Sequence, residues 1–148
     1  MSGELTIREG QIAESKHQLP WLIMQHYLEL ATDPEIMVLK PDWERYELLQ
    51  DAGKLFTLFA YEGEQIVGYS NNIIDRHLHY DLIVCSNDVI FIDPAKRGTV
   101  GRELIARTKM AAKDRGAGLM LWHAKPNTAL AHIMKDKFLQ DTIYSERL

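Results

Sequence analysis

The sequence predicts an α/β domain of the α+β kind, built on a mixed sheet, and three observations lead there. Its 148 residues are one domain's worth of chain, with 46% hydrophobic and 26% charged residues, both near the globular average. Strand-like stretches at 55–61 and 65–74 are separated only by Glu62-Gly63-Glu64, which reads as a hairpin and so as an antiparallel pair. An apolar run at 89–92, a helical stretch at 100–115 and another apolar run at 118–123 form a strand–helix–strand unit, which puts two strands in parallel.

Taken in order, Glu4-Leu5-Thr6-Ile7-Arg8 alternates and reads as a short strand. Helical periodicity runs from residue 12 to 30. Pro20 lacks a backbone donor and crowds the turn before it, so a kink or split is expected there, and Pro34 closes the region. Residues 41–49 read as a second helix with Pro41 in its first turn. Gly68 in the returning strand of the hairpin is a candidate bulge. Asp93-Pro94 stops the buried run at 89–92. In the 100–115 helix, Leu104, Ile105, Thr108, Ala111 and Ala112 keep the 3.6-residue period, and Gly116-Ala117-Gly118 ends it. A helix over 127–137 and a last strand at 141–145 complete the order β-α-α-β-β-β-α-β-α-β.

Composition excludes several classes. The balance rules out a disordered chain and a coiled-coil rod. One cysteine, Cys85, permits neither an internal disulfide nor a thiolate metal cage. No apolar stretch approaches the roughly 20 residues of a membrane span. The first four residues lack the positive charge of a leader. A cytoplasmic protein of one domain, with no membrane partner, is the expectation.

The net charge of −4 hides an asymmetry. Residues 1–95 hold 6 Lys/Arg against 16 Asp/Glu, or −10, and residues 96–148 hold 11 against 5, or +6. A basic segment on an acidic protein points to a local anionic ligand, or to a plain solvated helix face; a nucleic-acid binder is more often basic throughout.

The basic segment opens with Lys96-Arg97-Gly98-Thr99-Val100-Gly101-Arg102, between the apolar strand and the helix. A turn this rich in small residues can aim several backbone N–H groups at one phosphate, and the helix dipole adds about half a positive charge there. Arg97 and Arg102 can add bidentate bonds. The same residues also suit an ordinary turn with two solvated arginines. Neither a Walker A sequence nor a GxGxxG is present.

The stretch Val89-Ile90-Phe91-Ile92-Asp93-Pro94-Ala95-Lys96-Arg97-Gly98-Thr99-Val100-Gly101-Arg102-Glu103-Leu104-Ile105 resembles the cofactor motif of the GNAT N-acyltransferase superfamily: a strand, Pro, (Arg/Gln)-x-x-Gly-x-(Gly/Ala), then a helix. His123-Ala124-Lys125-Pro126-Asn127 and a helix reaching Phe138 resemble that family's second half. The element order agrees with it, and the ending Tyr144-Ser145 resembles members common in bacteriophage genomes. The resemblance implies a GNAT-like fold, a mixed central sheet flanked by helices on both faces. There are departures. Lys96 stands at the Arg/Gln position and Thr99 replaces the middle glycine; with Arg97 at that position instead, the loop is one residue short. The family's general-acid tyrosine falls on Ile133 or Met134, and the glycine of its Gly-Phe pair is Lys137.

The resemblance implies that acetyl-CoA lies in a gap between the strand ending near Asp93 and the strand ending near His123. Phe91, Ile92 and Asp93 would line the pantetheine arm. Lys96, Arg97, Gly98, Thr99, Val100, Gly101 and Arg102 would hold the pyrophosphate, and Asn127 matches the family's cofactor-contacting asparagine. It implies an acetyltransferase acting on a primary amine by direct transfer, with a homodimer expected by analogy. Such transfer needs a base for the amine. His123, at a strand end bordering the gap and with an ordinary pKa near 6.5, is the first candidate. Asp88, a carboxylate opening an apolar strand, is the second, and Tyr144 is a stand-in acid. Each has a structural reading beside it: a hydrogen-bonding histidine, a solvated acid, a core tyrosine. The acidic first 95 residues favour a cationic acceptor, whether a polyamine, an aminoglycoside-like molecule or a protein amine. His77 and His79 lack a third ligand, so no metal is expected. Trp21, Trp43 and Trp122 read as packing residues. The rival reading is a GNAT-like binding or structural module without turnover, for instance a phage accessory protein.

Overall fold

Pro20 divides the long helical stretch. The computed structural model describes residues 3–148 apart from the side chain of Glu14; the first two residues, weighed above for a leader, lie outside the described residues. After β1 (Leu5–Gly10), one turn, α1 (Ile12–Ser15), breaks off, and α2 (Leu19–Leu30) starts anew with Pro20 in its first turn, where a missing N–H costs nothing. Asp42 caps α3 (Trp43–Asp51) by accepting from the Arg45 N–H at 3.1 Å, so Pro41 precedes the cap and does not enter the helix.

The hairpin is β2 (Leu55–Glu62) and β3 (Gln65–Arg76), antiparallel as expected. Its register slips between Ala60 and Tyr61, which face Gly68 and Ile66, so the extra residue is Val67 rather than Gly68. β4 (Ile83–Ile92) begins well before the apolar run, because Ser86, Asn87 and Asp88 belong to the strand and mask it in the sequence. A single 3₁₀ turn (Pro94–Lys96) leads to α4 (Thr99–Asp114), then β5 (Ala117–Trp122) and α5 (Ala129–Met134).

The five strands lie in chain order, β1 to β5, antiparallel except for the parallel pair β4–β5. This is the mixed sheet the sequence predicts, and both of its faces are covered. On one side Phe59, Ile66, Tyr69 and Phe91 pack with Ile12, Leu19 and Leu22 of α1 and α2, and with Trp43 and Tyr46 of α3. On the other, Phe56, Ile74 and Cys85 meet Ala112, and Leu58 and Ile92 meet Leu104, all under α4. Alternation along β2 sends Phe56 and Leu58 one way and Phe59 the other. Each such large apolar side chain contributes roughly 1.5–3 kcal/mol when fully buried.

The chain's end departs from expectation. Residues 141–145 form no strand, and 135–148 carry no helix or strand. Tyr144, the stand-in acid whose structural reading was a core tyrosine, is 88% exposed and so lies outside the core. Arg147 ties this end to Asp33 and Glu35. Alternating polarity makes a strand only when an edge pairs with it, and no sheet edge does so here.

Candidate active site

β4 and β5 part company halfway along β4. Their pairing ends at Asn87↔Trp122, and beyond it the β4 residues 89–92 pair only with β3. The free edge so created carries the backbone of Phe91 and Ile92, in the gap the sequence resemblance implied.

A bulge sets the divergence. Opposite β3 the register slips so that Asn71 faces Val89 while Asn72 faces Asn87, leaving Asp88 as the extra residue. The bulge is held from inside the sheet. The Asn87 side-chain amide reaches Asn72 Oδ1 at 2.8 Å, Ser70 Oγ at 3.2 Å and the Val89 carbonyl at 3.2 Å. Thr108 of α4 donates to Ser70 Oγ at 2.8 Å, and the network leaves no buried side-chain polar atom unpartnered among the described residues. Sequence reasoning placed Thr108 on the inner face of its helix but missed the roles of Ser70, Asn72 and Asn87, whose only signal was polar residues interrupting stretches that otherwise read as strands.

Beyond the free edge the chain enters α4 through Gly98, whose φ of +138° suits glycine and strains any L side chain. No side chain caps α4, so its first N–H groups are available to a ligand. A Cβ at Gly98 or Gly101 would meet nothing within 4 Å, so the turn is open in front. Thr99 is the first helical residue and its φ is not positive, which is why threonine is tolerated there: the conformation that demands glycine falls on Gly98.

The cationic side chains of this turn are engaged elsewhere. Lys96 Nζ lies 2.9 Å from Glu62 Oε1. Arg97 donates through Nε to the Ile92 carbonyl at 3.1 Å, pairs with Glu29 of α2 at 2.6 Å and lies over the Phe91 ring. Arg102 instead lines a cleft of about 350 Å³ between α4 and α5, with Ile105, His132 and Ile133. A larger groove of about 490 Å³ runs between β1 and α4, on the sheet edge opposite β5.

The proton-handling candidates scatter. His123, just past β5, is exposed and places Nε2 2.9 Å from Ser86 Oγ of β4, at the apex of the gap. Asp88 is exposed on the bulge and stands near enough to Tyr46 and Tyr69 to help burial raise both phenols. Tyr144 lies on the unpaired end. Asn127 is exposed with φ +65°, directly before the Thr128 cap of α5. Cys85 is buried, and burial pushes its thiol up to about 11, which disarms it as a nucleophile. No cluster of metal-ligating side chains occurs among the described residues. Nor is any helix among them long and apolar enough to cross a membrane.

The architecture has known counterparts. No protein-family model and no curated protein sequence matches the chain. Solved structures do. An aminoglycoside acetyltransferase from an uncultured soil metagenomic sample, in complex with sisomicin, superposes with a TM-score of 0.74 at 17% identity, covering 97% of this chain and 96% of that one. A GNAT family acetyltransferase from Staphylococcus aureus gives 0.71 at 14% identity over 100% of both chains. A predicted acetyltransferase from Clostridium acetobutylicum, solved with acetyl-CoA, gives 0.72 at 14% identity over 98% and 96%. The chain has the fold of the GNAT acetyltransferases: a mixed five-stranded sheet, parted between β4 and β5, with helices on both faces.

Proposed function

We propose that the protein transfers an acetyl group from acetyl-CoA to a primary amine. The observation that carries this reading is the meeting of two backbone features: the free edge of β4 at 88–92 and the uncapped first turn of α4 behind Gly98. An edge with unpaired amide groups suits an extended, amide-bearing pantetheine arm, which adds to it like a strand. A helix N-terminus with free N–H groups suits a pyrophosphate.

The residues fit acetyl-CoA mainly through backbone. Phe91, Ile92 and Asp93 would take the arm. Gly98, Thr99, Val100 and Gly101 would take the pyrophosphate, with Arg102 and the α4–α5 cleft beyond it. Asn127, in the connection between β5 and α5, would be the remaining cofactor contact. Lys96 and Arg97 would contribute after exchanging a carboxylate partner for phosphate. Bound acetyl-CoA supplies an activated thioester carbonyl. His123, exposed at the apex, takes the proton that keeps the acceptor an ammonium, and Asp88 is the second candidate for that step. An acceptor carrying positive charge, small molecule or protein, suits the acidic first 95 residues.

The test is calorimetric titration with acetyl-CoA, followed by thiol release across a panel of polyamines, aminoglycosides and peptide amines. Binding with thiol release supports the reading, and no heat or thermal shift at millimolar acetyl-CoA ends it. The engagement of Lys96 and Arg97 by Glu62 and Glu29 favours one rival, a binding module without turnover. That rival predicts no thiol release with any amine.

A further inference from the structure

The buried core stops at Ala112. Among residues 113–148 not one is buried, although they include Leu119, Met120, Leu121 and Trp122 of β5 and Phe138 and Ile143 beyond α5. β5 carries neither charge nor proline, the devices that usually keep an edge strand from pairing. Yet it has one strand neighbour, β4, and its outer edge is unpaired among the described residues. Such an edge is a template for another chain.

The same chain carries a segment suited to that template. Residues 135–148 are exposed throughout, and their alternating stretch at 141–145 pairs with nothing in its own chain. This arm is held at both ends. It leaves α5 at one, and at the other Arg147 ties it to Asp33 and Glu35 in the connection between α2 and α3. An arm so anchored loses less freedom on pairing than a loose tail would.

Arm and edge also match in length and charge. β5 is six residues long, with Lys113 before it and Lys125 after it. The stretch Asp141–Glu146 has that same length and an acid at each end. None of these four charged side chains has an ion-pair partner among the described residues. Pairing in either direction sets one acid toward each lysine.

We propose that the protein is a dimer by mutual strand exchange: residues 141–146 of one copy add to the outer edge of β5 in a second copy, which returns its own arm. The exchange is closed and two-fold, so it stops at two chains. Backbone hydrogen bonds along β5 supply affinity, and the acids set against Lys113 and Lys125 supply register. Because His123 directly follows Trp122, one of the partner's acids comes to stand at the end of β5 where the gap opens.

Sedimentation velocity and native mass spectrometry on the full chain test this without any cofactor. The wild type should be a dimer at micromolar concentration. Asp141→Lys with Glu146→Lys should weaken it on the order of tenfold or more, and so should Lys113→Glu with Lys125→Glu in a separate chain. All four side chains are exposed, so circular dichroism should show both variants folded. Mixed together, the two variants should form a heterodimer within about threefold of wild-type affinity, since each arm then meets an edge of opposite charge. Ile143→Pro removes a backbone donor where the single chain has no structure to lose, and should give monomer. A wild-type monomer at micromolar concentration overturns the proposal, as does a dimer that none of these variants weakens. Weakened variants whose mixture does not recover overturn the exchange as well. If either charge variant fails to fold, Ile143→Pro decides.

Discussion

Asn87 grips Asn72 at 2.8 Å from within the sheet, at the one place where β4 carries a residue more than β3. The pair is fully buried, so the hydrogen bond is protected from water and its loss is not made good by solvent. What it holds is a bulge, and the bulge ends the β4–β5 pairing one residue beyond Ser86↔Leu121. A polar cluster in the core thereby governs the opening of the gap.

Replacing Asn87 with leucine keeps the volume but strands the acceptors of Asn72 and Ser70. Urea unfolding should show a loss of about 2–3 kcal/mol. Calorimetry should show acetyl-CoA binding weakened at least tenfold, about 1.4 kcal/mol, in protein that is still folded. Unchanged affinity would mean that the bulge does not shape the cofactor edge.

Gly98→Ala isolates the turn. The added Cβ meets nothing, so its cost is conformational, roughly 1–2 kcal/mol for an L residue forced into this φ. The backbone either stays strained or rotates and withdraws N–H groups from the cradle. Both a lower melting temperature and a smaller acetyl-CoA-induced shift are expected, whereas Gly101→Ala, inside α4, should leave the melt unchanged or raised.

Glu29 competes with any anionic ligand for Arg97. Their ion pair is partly exposed and contributes no more than about 1 kcal/mol to stability. Glu29→Gln should therefore melt close to wild type. It should bind acetyl-CoA severalfold more tightly at low salt, with a steeper loss of affinity as salt rises. An affinity equal to wild type at every salt concentration would place Arg97 outside the cofactor site.

His26 links stability to pH. Its folded-state pKa is lowered, so below about pH 6.5 the unfolded chain takes up a proton that the folded chain refuses. Its contribution is constant above the unfolded value, and stability falls as pH drops from there toward the folded value. Urea midpoints measured from pH 8 to 5 should decline over that window, and His26→Gln should flatten the decline.

Much of the fold is legible because it is local. The hairpin, the helix breaks at Pro20 and Pro34 and the period of α4 are each written in a few neighbouring residues. The N-terminal half of β4 was hidden because its polar residues are buried in pairs, Asn87 with Asn72 and Ser70, which no single stretch reveals. The strand expected at 141–145 failed for the complementary reason: its alternation is real, but a strand needs an edge that pairs with it.

The sequence by itself determined the order of elements as far as α5, the parallel strand–helix–strand unit and the glycine-bearing turn, since these depend on dihedral preferences and periodicity within one segment. Only the tertiary structure decided that Gly98 rather than Thr99 carries the positive φ and that Lys96 and Arg97 are held by Glu62 and Glu29. It alone set His26 against Tyr69 and Phe91, 43 residues along the chain from the first of them. Contacts of that span depend on how helices seat on a sheet, which is settled by packing the whole core at once.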